Sequence, residues 1–162
     1  MGKEVERKFL VDPGAWHPDP ARGVRYRQGY LSVVPERIVR VRRAGPKGAL
    51  TIKGLTTGVE RSEFEYPIPP DDADAMLDTL CLQPLLEKTR YREPFGSRIW
   101  EIDVFEGENA GLVVAEVELD SPTASIELPP WAGKEVSADP RYFNSNLTQH
   151  PFTRWGRGDS GR

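Results

Sequence analysis

Charged residues two positions apart recur along most of this chain, and apolar residues fill the positions between them. The first example lies at the start, where Glu4, Glu6 and Lys8 alternate with Val5 and Phe9. Side chains two apart on a β-strand point to the same face, so this spacing predicts a strand with one charged and one apolar face. For a single strand a solvated outer face is the ordinary explanation, because antiparallel sheets often have one wet side. The repetition of the pattern calls for another explanation.

Eight segments of the chain have a strand-like pattern. They cover residues 4–11, 24–31, 37–43, 49–53, 59–66, 87–92, 99–104 and 112–119. Short turns join most of them, which favours an antiparallel meander that closes on itself. The sequence therefore predicts a mainly β (α+β) fold: an eight-stranded antiparallel closed β-barrel, or tunnel, with a charged lumen and a few flanking helices.

Three helices are predicted beside these strands. The clearest covers residues 73–82, after an Asp cap, with an apolar stripe of Met76, Leu77, Leu80 and Cys81 that is typical of core packing. A short helix is predicted from Ser121-Pro122 to the residue before Pro129, and another from Asp139 to about residue 147.

The charged face of the strands holds seven cations and eight anions. These are Glu4, Glu6, Lys8, Arg40, Arg42, Lys53, Arg61, Glu63, Glu65, Lys88, Arg90, Glu101, Asp103, Glu116 and Glu118. If this face were outside, the apolar face would fill a small barrel and the helices would have nothing to cover. We therefore favour a polar tunnel, in which the near balance of the two signs limits the cost of burying charge. A structural lattice of ion pairs is the alternative, but such a lattice would mix the signs more evenly along each strand.

The sequence does not decide which face of the second strand points into the tunnel. Either Arg25 and Arg27 point into the tunnel, or Tyr26, Gln28 and Tyr30 do. Both sets have period 2, so alternation alone does not choose between them.

Length and composition exclude several classes of protein. A chain of 162 residues is expected to form one domain, and 25 acidic residues against 22 basic ones give no field that favours general nucleic-acid binding. No apolar run is long enough for a membrane span, and the charged N-terminus is unlike a signal peptide, so a cytoplasmic protein is predicted. With one Cys and two His, any bound metal must be held by carboxylates.

Clustered cations on one wall suit a compact polyanion, whereas clustered carboxylates on another suit hard divalent ions. Two such ions bring four positive charges, and a linear triphosphate brings about four to five negative ones near neutral pH. Added to a lining of net charge about −1, this assembly is close to neutral. The pattern therefore indicates phosphoryl chemistry on a metal-bound polyphosphate. No Cys or Ser with a His partner suggests a covalent intermediate.

The ordered series of motifs resembles the CYTH domain, or triphosphate tunnel metalloenzyme family. The resemblance is carried by Glu4-x-Glu6-x-Lys8, Gln28-Gly29-Tyr30-Leu31, Arg40-x-Arg42, Thr51-Ile52-Lys53, Glu63-x-Glu65, Lys88-x-Arg90, Glu101-x-Asp103, Glu116-x-Glu118, Asp139-Pro140-Arg141-Tyr142 and Asn144-Ser145-Asn146-Leu147. The chain looks most similar to small bacterial members that hydrolyse inorganic triphosphate. On this resemblance residues 1–150 form the CYTH domain, and residues 151–162 are predicted to be a disordered tail.

The resemblance implies metal-assisted hydrolysis of a small-molecule triphosphate, with two Mg²⁺ or Mn²⁺ ions and without nucleic acid or membrane partners, in a monomer or a homodimer. The implied phosphate-binding residues are Lys8, Arg40, Arg42, Lys53, Lys88 and Arg90. The implied metal ligands are Glu4, Glu6, Glu116, Glu118 and Asp103, with Asp103, Glu63 and Glu65 as weaker candidates that could instead orient cations. The implied catalytic residues are Glu4, Glu6 and Lys8, and either glutamate could help to deprotonate the attacking water. The segment from Asp139 onward resembles one that closes a tunnel mouth.

Other functions would use the same phosphate-binding residues. Within the family these are thiamine triphosphatase, class IV adenylate cyclase and a broader nucleoside triphosphatase. No aromatic cage for an organic ring is evident: Tyr26, Tyr30, Tyr91 and Trp100 could be core or end-of-tunnel residues, and their placement on strands favours the core. Two further alternatives are not enzymes. A polyphosphate or nucleotide sensor would use the tunnel only to bind its ligand, and a structural barrel would bind neither phosphate nor metal.

Overall fold

Eight antiparallel strands form a closed ring in the computed structural model, which describes residues 2–156. They are β1 (Lys3–Val11), β2 (Val24–Val34), β3 (Arg37–Ala44), β4 (Lys47–Lys53), β5 (Glu60–Ile68), β6 (Leu86–Phe95), β7 (Arg98–Phe105) and β8 (Val113–Glu118). Their order around the ring is β5-β4-β3-β2-β6-β7-β8-β1, and β1 pairs back with β5, where Glu4 lies opposite Arg61. The predicted eight-stranded tunnel is confirmed.

A ninth strand, β9 (Ala132–Glu135), extends the sheet outside the ring. It pairs with the second half of β1, where Phe9 lies opposite Glu135. Strand β5 pairs only with the first half of β1, so β9 takes over the edge that β5 leaves. The sequence analysis missed this strand because its four residues contain a glycine and two charges and have no apolar alternation.

The apolar faces of the strands point away from the tunnel and pack under the rest of the chain, as the charged-lumen hypothesis requires. One core cluster includes Phe9, Trp100, Ile102, Val117 and Trp131. A second lies under the C-terminal segment, and a third lies under the first α-helix. Burial of these apolar side chains is the main force that holds the ring together.

The helices differ from the prediction at their ends. Helix α1 (Pro70–Thr79) begins at a proline, a favoured first residue, and Pro69 rather than an aspartate occupies its N-cap position. Leu77, within the helix, and Cys81, just beyond it, are buried as expected, whereas Leu80 is exposed. None of the helices within residues 2–156 is both long and apolar enough to cross a membrane.

The C-terminal part of the chain corrects two predicted helices. Residues 121–129 contain no helix. Ala124 and Ile126 in this stretch pack against the Trp100 cluster instead. The predicted helix from Asp139 is two pieces, because the 3₁₀ helix Pro140–Tyr142 ends at the extended residue Phe143 before α2 (Asn144–Gln149) begins.

The predicted disordered tail of residues 151–162 divides in two. Its first part is ordered: Phe152–Arg154 form a 3₁₀ helix, and the Trp155 ring lies 5.2 Å from that of Tyr142. These aromatic rings extend the second core cluster, which is why this part of the chain is not a free tail. Residues 157–162 lie outside the described residues.

Of the two orientations considered for β2, the structure has the one in which the tyrosines point inward. Arg25 lies outside, where it pairs with Glu87 and Glu106. Arg27 pairs with aspartates of α1. Tyr26 and Tyr30 face the tunnel. The outward arginines are therefore surface ion pairs, which explains why a polar pattern occurs on both faces of this strand.

Gly29 of β2 leaves no room for a side chain. A Cβ atom there would lie 2.7 Å from Leu85 Cδ2 and 2.8 Å from Cys81 Cβ, both in the segment that follows α1. We expect Gly29→Ala to lower the free energy of unfolding by about 1–3 kcal/mol, because packed cores do not absorb an added carbon. Urea denaturation measures this. Gly14→Ala is the control and should change little, since its Cβ would meet only Asp12 Oδ1 at 3.4 Å.

Candidate active site

The lumen of the ring encloses a cavity of about 320 Å³ whose wall is mostly charged. Among residues 2–156, its lining includes the carboxylates Glu4, Glu6, Glu63, Glu65, Glu101, Glu116 and Glu118 and the cations Lys8, Arg40, Arg42, Lys53, Arg61, Arg90 and Arg92. Strand alternation places them there, since each comes from the inward face of its strand. The two signs are equal in number within this lining, and they are not evenly mixed.

The carboxylates gather where β1 meets β8. Glu6 lies opposite Glu118, and Glu116 lies opposite both Lys8 and Glu101. Burial and the charges of Glu116 and Glu4 raise the pKa of Glu6 well above its ordinary value. Burial and neighbouring glutamates also raise the pKa of Glu118. This corner therefore carries more negative charge than its own cations neutralise.

Glu116 remains ionised in the same corner. Burial opposes its charge, but Lys8, Arg90 and Lys88 outweigh that effect and hold the pKa of Glu116 far below its ordinary value. A hydrogen bond from Glu6 acts in the same direction. The corner thus combines a fixed carboxylate with a neighbour that holds a proton readily.

Glu4 has a different environment from Glu6. Lys53 Nζ lies 3.1 Å from Glu4 Oε2, and Arg61 Nε donates to Glu4 Oε1 at 3.0 Å. Burial alone would raise the pKa of Glu4, but these two cations bring it below its ordinary value. The carboxylate of Glu4 is therefore already occupied by cations of the protein.

The opposite wall is basic. Arg40 Nη2 donates to Thr51 Oγ1 at 3.1 Å and to Glu65 Oε1 at 3.3 Å, so its guanidinium is fixed between β4 and β5. Arg42 is less well neutralised: burial, Arg40 and Arg90 lower its pKa. Such crowded guanidinium groups form a site suited to an anion with several oxygens, such as a polyphosphate.

Lys88 and Asp103 lie beneath this wall and are absent from the residues that line the cavity within the described chain. Lys88 Nζ is 2.7 Å from Asp103 Oδ2, and both side chains are only 1% exposed. Arg90 binds the same carboxylate through Nε at 2.7 Å and Nη2 at 2.9 Å. Burial lowers the pKa of Lys88 to about 8 although Asp103 raises it. The geometry thus gives Asp103 the role of orienting Arg90, while direct contacts of Lys88 with phosphate and of Asp103 with metal lack support here.

The C-terminal segment helps to fix Lys8. Lys8 Nζ donates to the Tyr142 carbonyl oxygen at 3.3 Å, lies 5.7 Å from the centre of the Phe143 ring and is 3.8 Å from Glu116 Oε1. The following residues, Asn144 and Ser145, belong to the cavity wall. This arrangement agrees with the expected approach of the segment after Asp139 to the tunnel.

The structure adds residues to which sequence reasoning gave no role in the site. Tyr26 and Tyr30 line the cavity, whereas Tyr91 and Trp100 belong to the core as expected. The sequence left the facing of β2 open, because the two outward arginines have the same period as the tyrosines. Arg61 and Glu101, which the sequence analysis placed on the charged face without a role in the site, also line the cavity, and so does Arg92.

The carboxylates fit a hard divalent cation by their chemistry. No three acidic, His or Cys side chains within residues 2–156 already have the arrangement of a formed metal site. However, Glu6, Glu116 and Glu118 are neighbouring oxygen donors on paired strands. Burial and the repulsion of nearby carboxylates raise the pKa values of Glu6 and Glu118, and a bound cation would offset both effects. These three residues could therefore hold a metal, while Glu4 could join them only by leaving its cation partners.

Comparisons with known proteins agree with this geometry. The model of the CYTH domain matches residues 2–150. An inorganic triphosphatase of Acetivibrio thermocellus is 49% identical over 152 residues, which are 94% of this chain and 97% of that protein. One of Nitrosomonas europaea is 39% identical over 150 residues, covering 89% and 95%. A crystal structure of an inorganic triphosphatase superposes with a TM-score of 0.63 at 34% identity, covering 90% of this chain and 97% of that one. The chain therefore belongs to the CYTH family.

Proposed function

We propose that this protein is a metal-dependent hydrolase that removes the terminal phosphate of inorganic triphosphate. The observation that carries the proposal is the divided lumen, in which a wall of guanidinium and ammonium groups faces a corner of crowded carboxylates. A pure binder of polyphosphate would gain nothing from that corner, because carboxylates repel an anionic ligand. Two relatives that are 49% and 39% identical carry the name inorganic triphosphatase, which supports this substrate.

The cations of the lumen would bind the phosphate oxygens. Arg40, Arg42 and Arg90 approach the cavity from β3 and β6, and Lys53 does so from β4. Guanidinium groups contact phosphate through two parallel hydrogen bonds, so they position the triphosphate as well as neutralise its charge. Lys88 acts indirectly, since it shares Asp103 with Arg90 and so helps to hold that guanidinium in place.

Membership in this family implies dependence on a divalent metal ion. We assign it as Mg²⁺ or Mn²⁺, with two ions expected, and Glu6, Glu116 and Glu118 as the principal ligands. When bound, such ions supply Lewis acidity and neutralise charge on the phosphate oxygens. Glu4 is a ligand only if substrate takes over Lys53 and Arg61. Asp103 remains with Arg90.

The protein's own groups would then carry the proton and the leaving group. Water attacks the terminal phosphorus, the bond to the bridging oxygen breaks, and orthophosphate and diphosphate leave. Glu6 is the better acceptor for the water proton, because Glu4 is held by two cations. Lys8, fixed by the Tyr142 carbonyl, offsets negative charge that develops on the diphosphate.

A second candidate activity is hydrolysis of nucleoside triphosphates. A largely apolar cleft of about 420 Å³ lies beside the tunnel, lined by residues that include Val33, Leu55 and Phe143. It shares Ile38, Arg61 and Ser145 with the wall of the tunnel, so an organic group attached to a triphosphate in the lumen could extend into it.

The deciding experiment measures phosphate release from tripolyphosphate, ATP, thiamine triphosphate and pyrophosphate, each with Mg²⁺, Mn²⁺ or a chelator. We expect fast metal-dependent release from tripolyphosphate and slower release from ATP. Faster cleavage of ATP or of thiamine triphosphate would move the assignment to that substrate. No release from any of them, with ATP still raising the melting temperature, would replace the hydrolase proposal with a cyclase or a sensor.

Replacement of Arg40 by alanine should weaken the grip on the substrate. We expect kcat/KM for tripolyphosphate to fall by about 10- to 100-fold, because one charge-assisted phosphate contact contributes about 1.5–3 kcal/mol. Steady-state kinetics measures the loss. Arg37→Ala removes an exposed arginine from the outward face of the same strand and should leave kcat/KM unchanged. Equal kinetics for both variants would remove Arg40 from the binding site.

A further inference from the structure

Tyr26 occupies the centre of the basic wall. It lies on β2, opposite Ala44 of β3 and opposite Lys88 of β6. Arg42 and Arg90, each two residues from those partners, are therefore its diagonal neighbours on the two flanking strands. Both guanidinium carbons lie 5.0 Å from the centre of the Tyr26 ring. Lys88 Nζ lies 5.8 Å from the same point.

The two arginines differ in what else holds them. Arg90 has two hydrogen bonds to the buried carboxylate of Asp103 and one to Glu101. Arg42 makes, within the described chain, a single ion pair with Glu65, at a distance of 3.7 Å. That distance is too long for a hydrogen bond, and Glu65 is already bonded to Arg40 and Thr51. The Tyr26 ring is thus a second support for the Arg42 guanidinium, beside this long ion pair.

We propose that Tyr26 is a positioning residue that holds Arg42 beside Arg90, so that both guanidinium groups meet the same phosphate chain. The negative face of an aromatic ring attracts a cation, and the attraction grows when water is excluded. A ring in contact with two guanidinium groups also offsets part of their mutual repulsion. Within residues 2–156 the cation contacts of the Tyr26 ring are with Arg42, Arg90 and Lys88 of the basic wall and not with the carboxylate corner. Its loss should therefore weaken binding of the anion much more than it slows the chemical step.

The inference rests on the proposed function only in that the lumen must bind a triphosphate. The experiment is therefore binding of tripolyphosphate in metal-depleted buffer, followed by isothermal titration calorimetry, where no hydrolysis is needed. We expect Tyr26→Leu to weaken binding by about five- to tenfold, as the loss of partly desolvated cation–π contacts of about 1–1.4 kcal/mol predicts. Tyr26→Phe keeps the ring and should bind within about twofold of the unaltered protein, on the same energy scale.

A double-variant cycle separates positioning from a general effect on folding. In an Arg42→Ala background, Tyr26→Leu should cause little further loss, because the cation that it supports is gone. With Mg²⁺ present, Tyr26→Leu should raise KM while kcat stays within about threefold. Tyr66→Leu removes a half-exposed tyrosine from the outer face of β5 and should change neither quantity. Melting temperatures verify that each variant is folded.

Three results would overturn the inference: unchanged affinity in Tyr26→Leu, an equal loss in Tyr26→Phe, or full additivity with Arg42→Ala. These results leave the proposed hydrolase intact. Conversely, binding without phosphate release by the unaltered protein would refute the hydrolase while the comparison of variants still decides the role of Tyr26. Absence of binding by the unaltered protein would refute both.

Discussion

Glu6→Gln is expected to lower kcat/KM for tripolyphosphate by about 10²- to 10⁴-fold, the range for loss of a catalytic acid–base group. The amide keeps the shape of the side chain but is a poor metal ligand and does not take a proton from water. The stability of the metal-depleted protein should be unchanged or slightly higher, because the neutral amide avoids the buried charge and the repulsion from Glu116 and Glu4 that raise the pKa of Glu6. Steady-state kinetics and urea denaturation measure the two effects.

The same variant tests the metal assignment without turnover. In the unaltered protein Mg²⁺ should raise the melting temperature, since it binds only the folded state. Glu6→Gln should reduce that increase. Glu87→Gln is the matched control, because Glu87 lies outside the ring in an ion pair with Arg25. Wild-type rates, or an undiminished response to Mg²⁺, would remove Glu6 from the site.

Asp103→Asn is expected to have the largest effect on stability. The carboxylate of Asp103 neutralises Lys88 and Arg90, and its removal leaves two buried cations close together. Breaking a buried ion pair from one side costs about 3–5 kcal/mol, and urea denaturation should show a loss of that size. Activity should also fall in the folded fraction, because Arg90 loses the two hydrogen bonds that orient it.

The lowered pKa of Lys88 predicts how the stability of the protein changes with pH. The pKa of Lys88 is already lowered to about 8 from 10.5, so the unfolded chain binds this proton more tightly. The resulting penalty is full below pH 8 and disappears as the pH rises towards 10.5, so Lys88 makes stability increase across that window. Without Asp103 the pKa of Lys88 should fall further below 8, so the stability deficit of Asp103→Asn narrows as the pH rises towards 8, where the unaltered protein also begins to release this proton.

A matched control for the same substitution lies on α1. Asp74→Asn breaks ion pairs with Arg27 and Arg43 at a solvent-exposed site. Such pairs contribute about 0–1 kcal/mol each, so the loss should be much smaller than for Asp103→Asn. A similar loss in both variants, or a deficit of Asp103→Asn that does not change with pH, would contradict the role given to the buried carboxylate.

Period-2 alternation predicted most of the ring because it has a local cause. A strand with Glu4 and Glu6 on one face and Val5 and Phe9 on the other can be recognised from a few consecutive residues. The short strand β9 was not predicted, because it forms by pairing with β1, which lies more than a hundred residues away in the sequence. The helix predicted after Ser121 failed for a related reason: Ala124 and Ile126 reach the core from an extended backbone.

For the strands other than β2, the sequence by itself determined which side chains share the inward faces, and hence that the lumen holds carboxylates and cations in nearly equal number. Only the tertiary structure decided how they are partnered. Closure of β1 onto β5 brings Glu4 to Lys53 and Arg61, whereas the pairing of β1 with β8 leaves Glu6 among other glutamates. Two residues of one motif thus acquire opposite pKa shifts. The physical reason is that an ionisable group responds to the charges within a few ångströms, and in a closed sheet those charges come from strands distant in the sequence.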